Sequence, residues 1–491
     1  MTYLRLENIT KRFGNFIAND NISLTINRGS IHALLGENGA GKTTLMNILC
    51  GLYQPDAGQI YLEDKAIKIS SPSHAIAHNI AMIHQHFMLV PQLTVTENII
   101  LGQNWNLPLN LKQKAETISS LSKSYNLEVD PLAKVGDLPV GVQQRVEILK
   151  ALYRQAQLLI LDEPTAVLTP PEVQVLINIL RQLAANGKTI IFISHKLEEV
   201  MNLCDTVTVL RRGQIVATAK TANTNRQELA ELMVGREVLF QLDKPAQKLG
   251  EVVLEVERIQ VQTDRKLLAV RDVSFQLHTG EILGIAGVDG NGQRELADAL
   301  ANLRPLAAGT ISKETRAIAY IPEDRQKMGL VLGFSIARNL IMKVFNLLPF
   351  CRHWLLQYGI INDSATSAIN KFDIRAENPS VKVSQLSGGN QQKVVLAREL
   401  SGEPDLIIAM QPTRGLDVGA TEYVQQKLIA ERERGAAILY ISTELEEVMM
   451  MSDRIAVMYE GKFVDILDAS TATVEQIGYL MTGGKVVARE E

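Results

Sequence analysis

Gly36-Glu37-Asn38-Gly39-Ala40-Gly41-Lys42-Thr43 fits the spacing G-x-x-x-x-G-K-[ST], whose chemistry is phosphate binding. Glycines let backbone N–H groups close around an anion, and a helix starting at Lys42 adds the positive end of its dipole. Lys42 would reach β- and γ-phosphates, and Thr43 would ligate Mg²⁺. Further on, Leu158–Pro164 reads LLILDEP, an apolar run ending in two acids. Asp162 suits magnesium coordination there, and Glu163 could polarise an attacking water as general base.

These groups need a scaffold that brings a loop and a strand end together. Ile31–Leu35 (IHALL) reads as a strand and Lys42 onward (KTTLMNILCGL) as a helix, the setting the glycine pattern requires. Apolar β-branched runs such as Thr189–Ser194 alternate with longer helical patterns such as Pro171–Gly187, which predicts an α/β fold with a mainly parallel sheet. The chain also repeats itself. Asn21–Leu45 returns as Asp272–Leu296, placing Gly36 on Gly287. Val140–Leu152 returns as Gly388–Leu400, and Phe192–Val200 as Tyr440–Val448. Three blocks in order and nearly in register mean a duplication. The expected organisation is a first domain over 1–238, a linker over 239–250 and a second domain over 251–491.

Composition narrows the function. The 491 residues are 46% hydrophobic and 21% charged, with a net charge of −4, so no basic nucleic-acid footprint is expected. Three cysteines without a CxxC pair argue for a reducing compartment and against structural zinc. The N-terminus lacks a secretory h-region. The richest apolar stretch, Phe345–Leu356, is broken by Asn346, Pro349, Arg352 and His353, so any membrane spans are expected on other chains.

With both halves in view, the chain resembles ATP-binding-cassette proteins, twice over. The resemblance implies two tandem P-loop cassettes, each with a mainly parallel sheet, an antiparallel β subdomain and a helical subdomain. It implies ATP and Mg²⁺ as ligands, with Gly36 to Thr44 (Glu37, Asn38, Gly39, Ala40, Gly41, Lys42, Thr43 and Thr44 included) around the phosphates and Phe13 stacked on adenine. Thr43, Gln85 and Asp162 would hold the metal, with Gln85 also touching the membrane partner. Glu163, Gln85 and His195 would serve catalysis, His195 contacting the γ-phosphate. Gln385–Lys393 (QLSGGNQQK) looks like the family signature, in which Ser387, Gly388 and Gly389 would bind that phosphate at a helix start.

The second copy has lost its own catalytic set. Lys42 becomes Gln293, Thr43 Arg294, Asp162 Met410, Glu163 Gln411, His195 Thr443, Gln85 Glu323 and Phe13 Thr263. Methionine offers magnesium no oxygen, and glutamine accepts no proton at neutral pH. The first copy has lost different residues: Pro139 replaces Ser387, and Thr169 stands where the second copy has Asp417. Pro139 has neither hydroxyl nor N–H to offer a phosphate, although it also starts a helix well. In the family each ATP lies between the phosphate loop of one cassette and the signature of the other. All the defects then fall in one site, leaving one complete site.

Twin cassettes without spans resemble the ATPase subunits of bacterial importers for simple sugars and nucleosides. Met82–Val95, Gly287–Leu296 and Ile321–Leu332 lean to the nucleoside branch, with a ribose- or galactose-type importer as the alternative. That resemblance implies two transmembrane permease subunits, an extracytoplasmic lipoprotein receptor, no nucleic acid, and a peripheral place on the cytoplasmic face of the membrane. Permease contacts are expected around Gln85–Leu89 and Glu323–Gly329, with Arg325 among them. A soluble twin-cassette translation factor fits less well, since its family keeps two intact sites and a long basic linker.

Overall fold

The computed structural model describes residues 1–84, 87–102, 110–165, 168, 170–194, 196–237, 244–245, 249–315 and 317–484. The chain divides into two compact units, Met1–Val238 and Leu239–Glu491.

In the first unit Ile31–Leu35 is buried at every position, as a strand covered on both faces requires. It lies between Thr189–Ile193 and Thr206–Arg211 in a six-stranded sheet. Leu158–Asp162 and Ile80–Ile83 extend that sheet in parallel on one side. Gln214–Lys220 closes the other edge antiparallel. The loop after Ile31–Leu35 and the acids ending Leu158–Asp162 therefore emerge at the carboxyl ends of parallel strands, where such sheets bind ligands. A separate antiparallel sheet, built from Phe16–Asn27, Thr2–Phe13, Ala57–Leu62 and Lys65–Ile67, covers one flank. Leu4, Leu6, Ile9 and Ile22 of that sheet join Leu34, Leu45 and Met46 in one apolar core. Helices Val95–Ile100, Leu111–Ser124 and Val140–Tyr153 pack together as a helical subdomain.

The second unit repeats this plan. Its sheet runs Ile318–Ile321, Leu406–Met410, Ala437–Ile441, Ile282–Ala286, Arg454–Tyr459, Lys462–Asp468, with only the last pair antiparallel. Ties between distant segments repeat as well. Asp205 accepts from Ile31 N at 2.8 Å, and Asp453 accepts from Ile282 N at 2.9 Å. The helical subdomain holds Ile336–Leu340, Tyr358–Lys371 and Gly388–Leu400, with a short hairpin pairing Cys351–Arg352 to Leu355–Leu356. No helix among the described residues is long and apolar enough to cross a membrane.

Candidate nucleotide site

The phosphate loop of the first unit is shaped by close backbone approach. A Cβ on Gly41, which sits at φ 104°, would lie 2.4 Å from the Ala18 carbonyl oxygen, and a Cβ on Gly36 would lie 2.4 Å from that of Leu210. Both positions therefore admit only glycine. Asn19 Nδ2 fixes the Gly41 carbonyl at 3.1 Å. Lys42 is buried, and its ammonium donates to the carbonyls of Gly36 at 2.7 Å and Glu37 at 3.0 Å, so the loop wraps the cation. The helix Lys42–Leu49 starts with no side-chain cap and no acid in its first turn, which leaves its N–H groups and dipole for an anion.

Asp162 ends its strand half-buried. Burial raises its pKa first, the neighbouring Glu163 raises it further, and Lys42 and His84 oppose them. The Asp162 carboxylate and the Thr43 hydroxyl offer oxygen donors, the kind a hard divalent cation takes. Asp162 and Thr43 thus fit Mg²⁺. Glu163 turns the chain sharply: its φ is 46°, and its N–H donates to the Ile193 carbonyl at 2.9 Å. Just beyond, Thr165 and Ser194 both donate to Glu199 Oε2, at 2.7 and 3.2 Å, tying together the two strand ends. Phe13 ends its strand partly exposed, its ring centre 5.3 Å from that of Tyr53 in an edge-on contact. Gln85, His195 and Thr169 lie outside the described residues.

The corresponding loop of the second unit keeps the shape and loses the charges. Gln293 is buried where Lys42 stands, and its Nε2 donates to the Val288 carbonyl at 2.9 Å, as Lys42 does to Glu37. Arg294 turns to the Met328 sulfur. Glu295 puts an acid in the first turn of the helix, opposing any phosphate. Met410 is buried, Gln411 repeats the left-handed turn at φ 44°, and Glu323 pairs with Arg414. The signature, in contrast, is well formed here. Ser387 caps the helix Gly388–Leu400, its hydroxyl accepting from Asn390 Nδ2 at 3.0 Å. In the first unit Pro139 caps Val140–Tyr153 with no side-chain hydrogen bond.

Three neighbours escaped the sequence. His84 lies beside Asp162 because Ile80–Ile83 pairs with Leu158–Asp162, and Tyr53 meets Phe13 through a loop whose course no local pattern gives. Arg325 turns to the signature: Nη1 donates to the Arg414 carbonyl at 2.8 Å, and Nη2 lies 2.8 Å from where a Cβ on Gly388 would stand. A positive charge there would leave water unpaired, so it turns to a carbonyl beside the signature, whose glycine leaves it room.

A family model described as ABC transporter matches residues 19–166 and 270–414. The chain belongs to the ABC transporter family and is an ATPase with two nucleotide-binding cassettes. It is 46% identical over 500 residues, 99% of each chain, to the nucleoside import ATP-binding protein NupA of Lactococcus lactis subsp. cremoris. It is also 46% identical to the guanosine import ATP-binding protein NupO of Bacillus subtilis, covering 98% of this chain and 97% of that one. The ribose import ATP-binding protein RbsA of Bacillus licheniformis is 37% identical, covering 98% and 100%. Among solved structures, one titled RNase-L Inhibitor aligns with a TM-score of 0.66 and 20% identity over 97% of this chain and 93% of that one, a likeness of fold alone.

Proposed function

We propose that this chain hydrolyses ATP at one complete site to energise nucleoside uptake through separate membrane permeases. The observation that carries it is the full-length 46% identity to nucleoside and guanosine import subunits, against 43% to a glucose import subunit and 37% to a ribose import subunit. Ribose- or galactose-type import is the second reading, since 37% over nearly the whole chain is still substantial.

The residue roles follow from the chemistry of the loop. The backbone of Gly36–Thr44 surrounds the phosphates, Lys42 neutralises their charge, and Phe13 offers its ring to adenine. Thr43, Asp162 and Gln85 hold Mg²⁺, which when bound screens the charge that builds up during phosphoryl transfer. Glu163 accepts the proton of the attacking water, and His195 orients the γ-phosphate end. Ser387, Gly388 and Gly389 donate to that phosphate, a role carried by the pattern of losses in the sequence, which leaves one intact loop and one intact signature.

Partner docking fits the segment after Ile80–Ile83. A cavity of about 230 Å³ opens there, lined by Met82, His84, Met88, Glu147 and Lys150. Glu147 is buried, and its Oε1 has no hydrogen-bond partner among the described residues. A buried carboxylate oxygen left this way is costly until a donor reaches it, and a side chain of a permease would supply one. Two permeases, a lipoprotein receptor outside the membrane and a peripheral place on its cytoplasmic face complete the reading. Deleting the gene tests the substrate: loss of labelled nucleoside uptake is expected, whereas loss of ribose uptake with normal nucleoside uptake would favour the second reading.

A further inference from the structure

The stretch Phe345–Leu356, too broken to span a membrane, folds into a hairpin that buries only part of itself. Val344, Phe350 and Leu356 pack against Ala337, Ile341, Ile361 and Ala365, a small cluster that anchors the hairpin base. The rest of its apolar surface faces out. Trp354 is 97% exposed, Leu348 77% and Leu355 69%, with Phe345, Leu347 and Tyr358 also exposed. At the tip, His353 and Trp354 both hold positive φ, 49° and 66°. A two-residue turn of this kind favours Asn-Gly, because a bulky side chain there is strained. The hairpin therefore holds a strained tryptophan at its apex, and nothing among the described residues covers it.

The hairpin itself carries Arg352 and no acid. From Val344 to Asn362 the sequence has no Asp or Glu, and Lys343, just before it, is paired with Glu399. Arg352 and His353 sit beside Trp354 in the exposed turn. Exposed apolar patches on soluble domains mark binding surfaces. A protein partner would ordinarily meet a rim of both signs. Exposed tryptophan and tyrosine flanking an arginine, with no acid in the segment itself, is instead the chemistry of a bilayer's headgroup layer, and anionic headgroups favour it further.

We propose that the hairpin Cys351–Leu356 is an interfacial anchor that seats Trp354, Leu348 and Leu355 among anionic lipid headgroups. It gives the second unit a direct hold on the membrane, independent of any permease. The inference does not rest on the import reading, because its test uses lipid alone.

The chain has two tryptophans, so Trp105→Phe leaves Trp354 as the sole reporter. Vesicles of phosphatidylcholine alone are compared with vesicles that also contain phosphatidylglycerol. Anionic vesicles should shift Trp354 emission to the blue and shield it from acrylamide. Partitioning should exceed that on neutral vesicles at least ~10-fold and weaken in high salt. Trp354→Ala with Leu355→Ser should lower co-sedimentation of the otherwise unaltered chain by about 10-fold while basal ATPase stays unchanged. That co-sedimentation also decides the matter if the reporter variant misfolds. No binding to either vesicle by an active chain would overturn the proposal, as would equal binding to both. A Trp354 shift seen only with a detergent-solubilised permease complex would also overturn it, assigning the patch to a protein.

Discussion

Gln144 Nε2 donates to the Pro164 carbonyl at 2.6 Å, tying the helix Val140–Tyr153 to the turn just past Asp162 and Glu163. The second unit repeats the tie between Gln392 and Pro412 at 2.8 Å, although that turn carries Met410 and Gln411. Each link is buried and joins the helical subdomain to the end of a core strand. Gln144→Met should leave the Pro164 carbonyl unpaired and cost about 1–3 kcal/mol of stability. Chemical denaturation measures that loss, and an unchanged midpoint would show that another donor replaces the amide.

Glu163→Gln removes a carboxylate from the turn and makes it match Gln411. ATPase of the purified complex at saturating ATP should fall by about 10²-fold or more, the range for a lost general base. Gln411→Glu in that background should restore nothing, because Gln293, Met410 and Glu295 still surround it. Doubled turnover there would mean the second loop hydrolyses ATP.

Ser387→Ala should slow hydrolysis although Ser387 lies in the unit whose own loop is degenerate. Pro139→Ser should leave the rate within about three-fold, since the loop it would serve lacks the lysine that neutralises phosphate charge. A silent Ser387→Ala would remove the role assigned to the second signature.

Arg325→Glu should lower ATPase and leave ATP binding at Lys42 intact. Arg325 contacts the Arg414 carbonyl and the Gly388 backbone, so a carboxylate there would face a carbonyl oxygen and disturb the start of the signature helix. Lys327→Glu, on an exposed side chain of the same segment, should instead weaken permease co-purification. The reverse pattern would place the partner contact at Arg325.

Acid should weaken the first unit through His32. Burial between Thr206 and Thr208 lowers its pKa to about 4. The folded state therefore binds the proton less readily than the unfolded chain. The stabilisation is full above the unfolded value near 6.5 and is lost as pH falls toward 4, by on the order of 2–3 kcal/mol. His32→Leu, which copies Leu283 of the second unit, should flatten that dependence in thermal melts between pH 7 and pH 4.5. A slope that survives the change would assign the acid sensitivity elsewhere.

Much of the fold was readable because a duplicated chain carries its own alignment. Gly36, Lys42 and the Asp162–Glu163 pair sit on strand ends whose apolar runs are unbroken, so local pattern places them. Arg325 against Gly388 depends on where a loop returns after a long excursion, and His84 beside Asp162 on which strands become neighbours; no periodicity encodes either. The stretch around Cys351–Leu356 was rightly read as no membrane span, but its hairpin was not legible. Asn346 and Pro349 looked like interruptions of one apolar run, but they lie on the way into a reversal of direction.

Glu163 and Gln411 share a left-handed backbone although one carries an acid and the other an amide. A conformation retained where no proton is to be taken belongs to the architecture, since it is how the chain leaves a central strand beneath its neighbour's last carbonyl. Backbone strain at Glu163 is therefore no mark of catalysis in this molecule. A search for working sites in related chains that scored such torsions at strand ends would pick out Gln411 along with Glu163, and only side-chain chemistry would separate them.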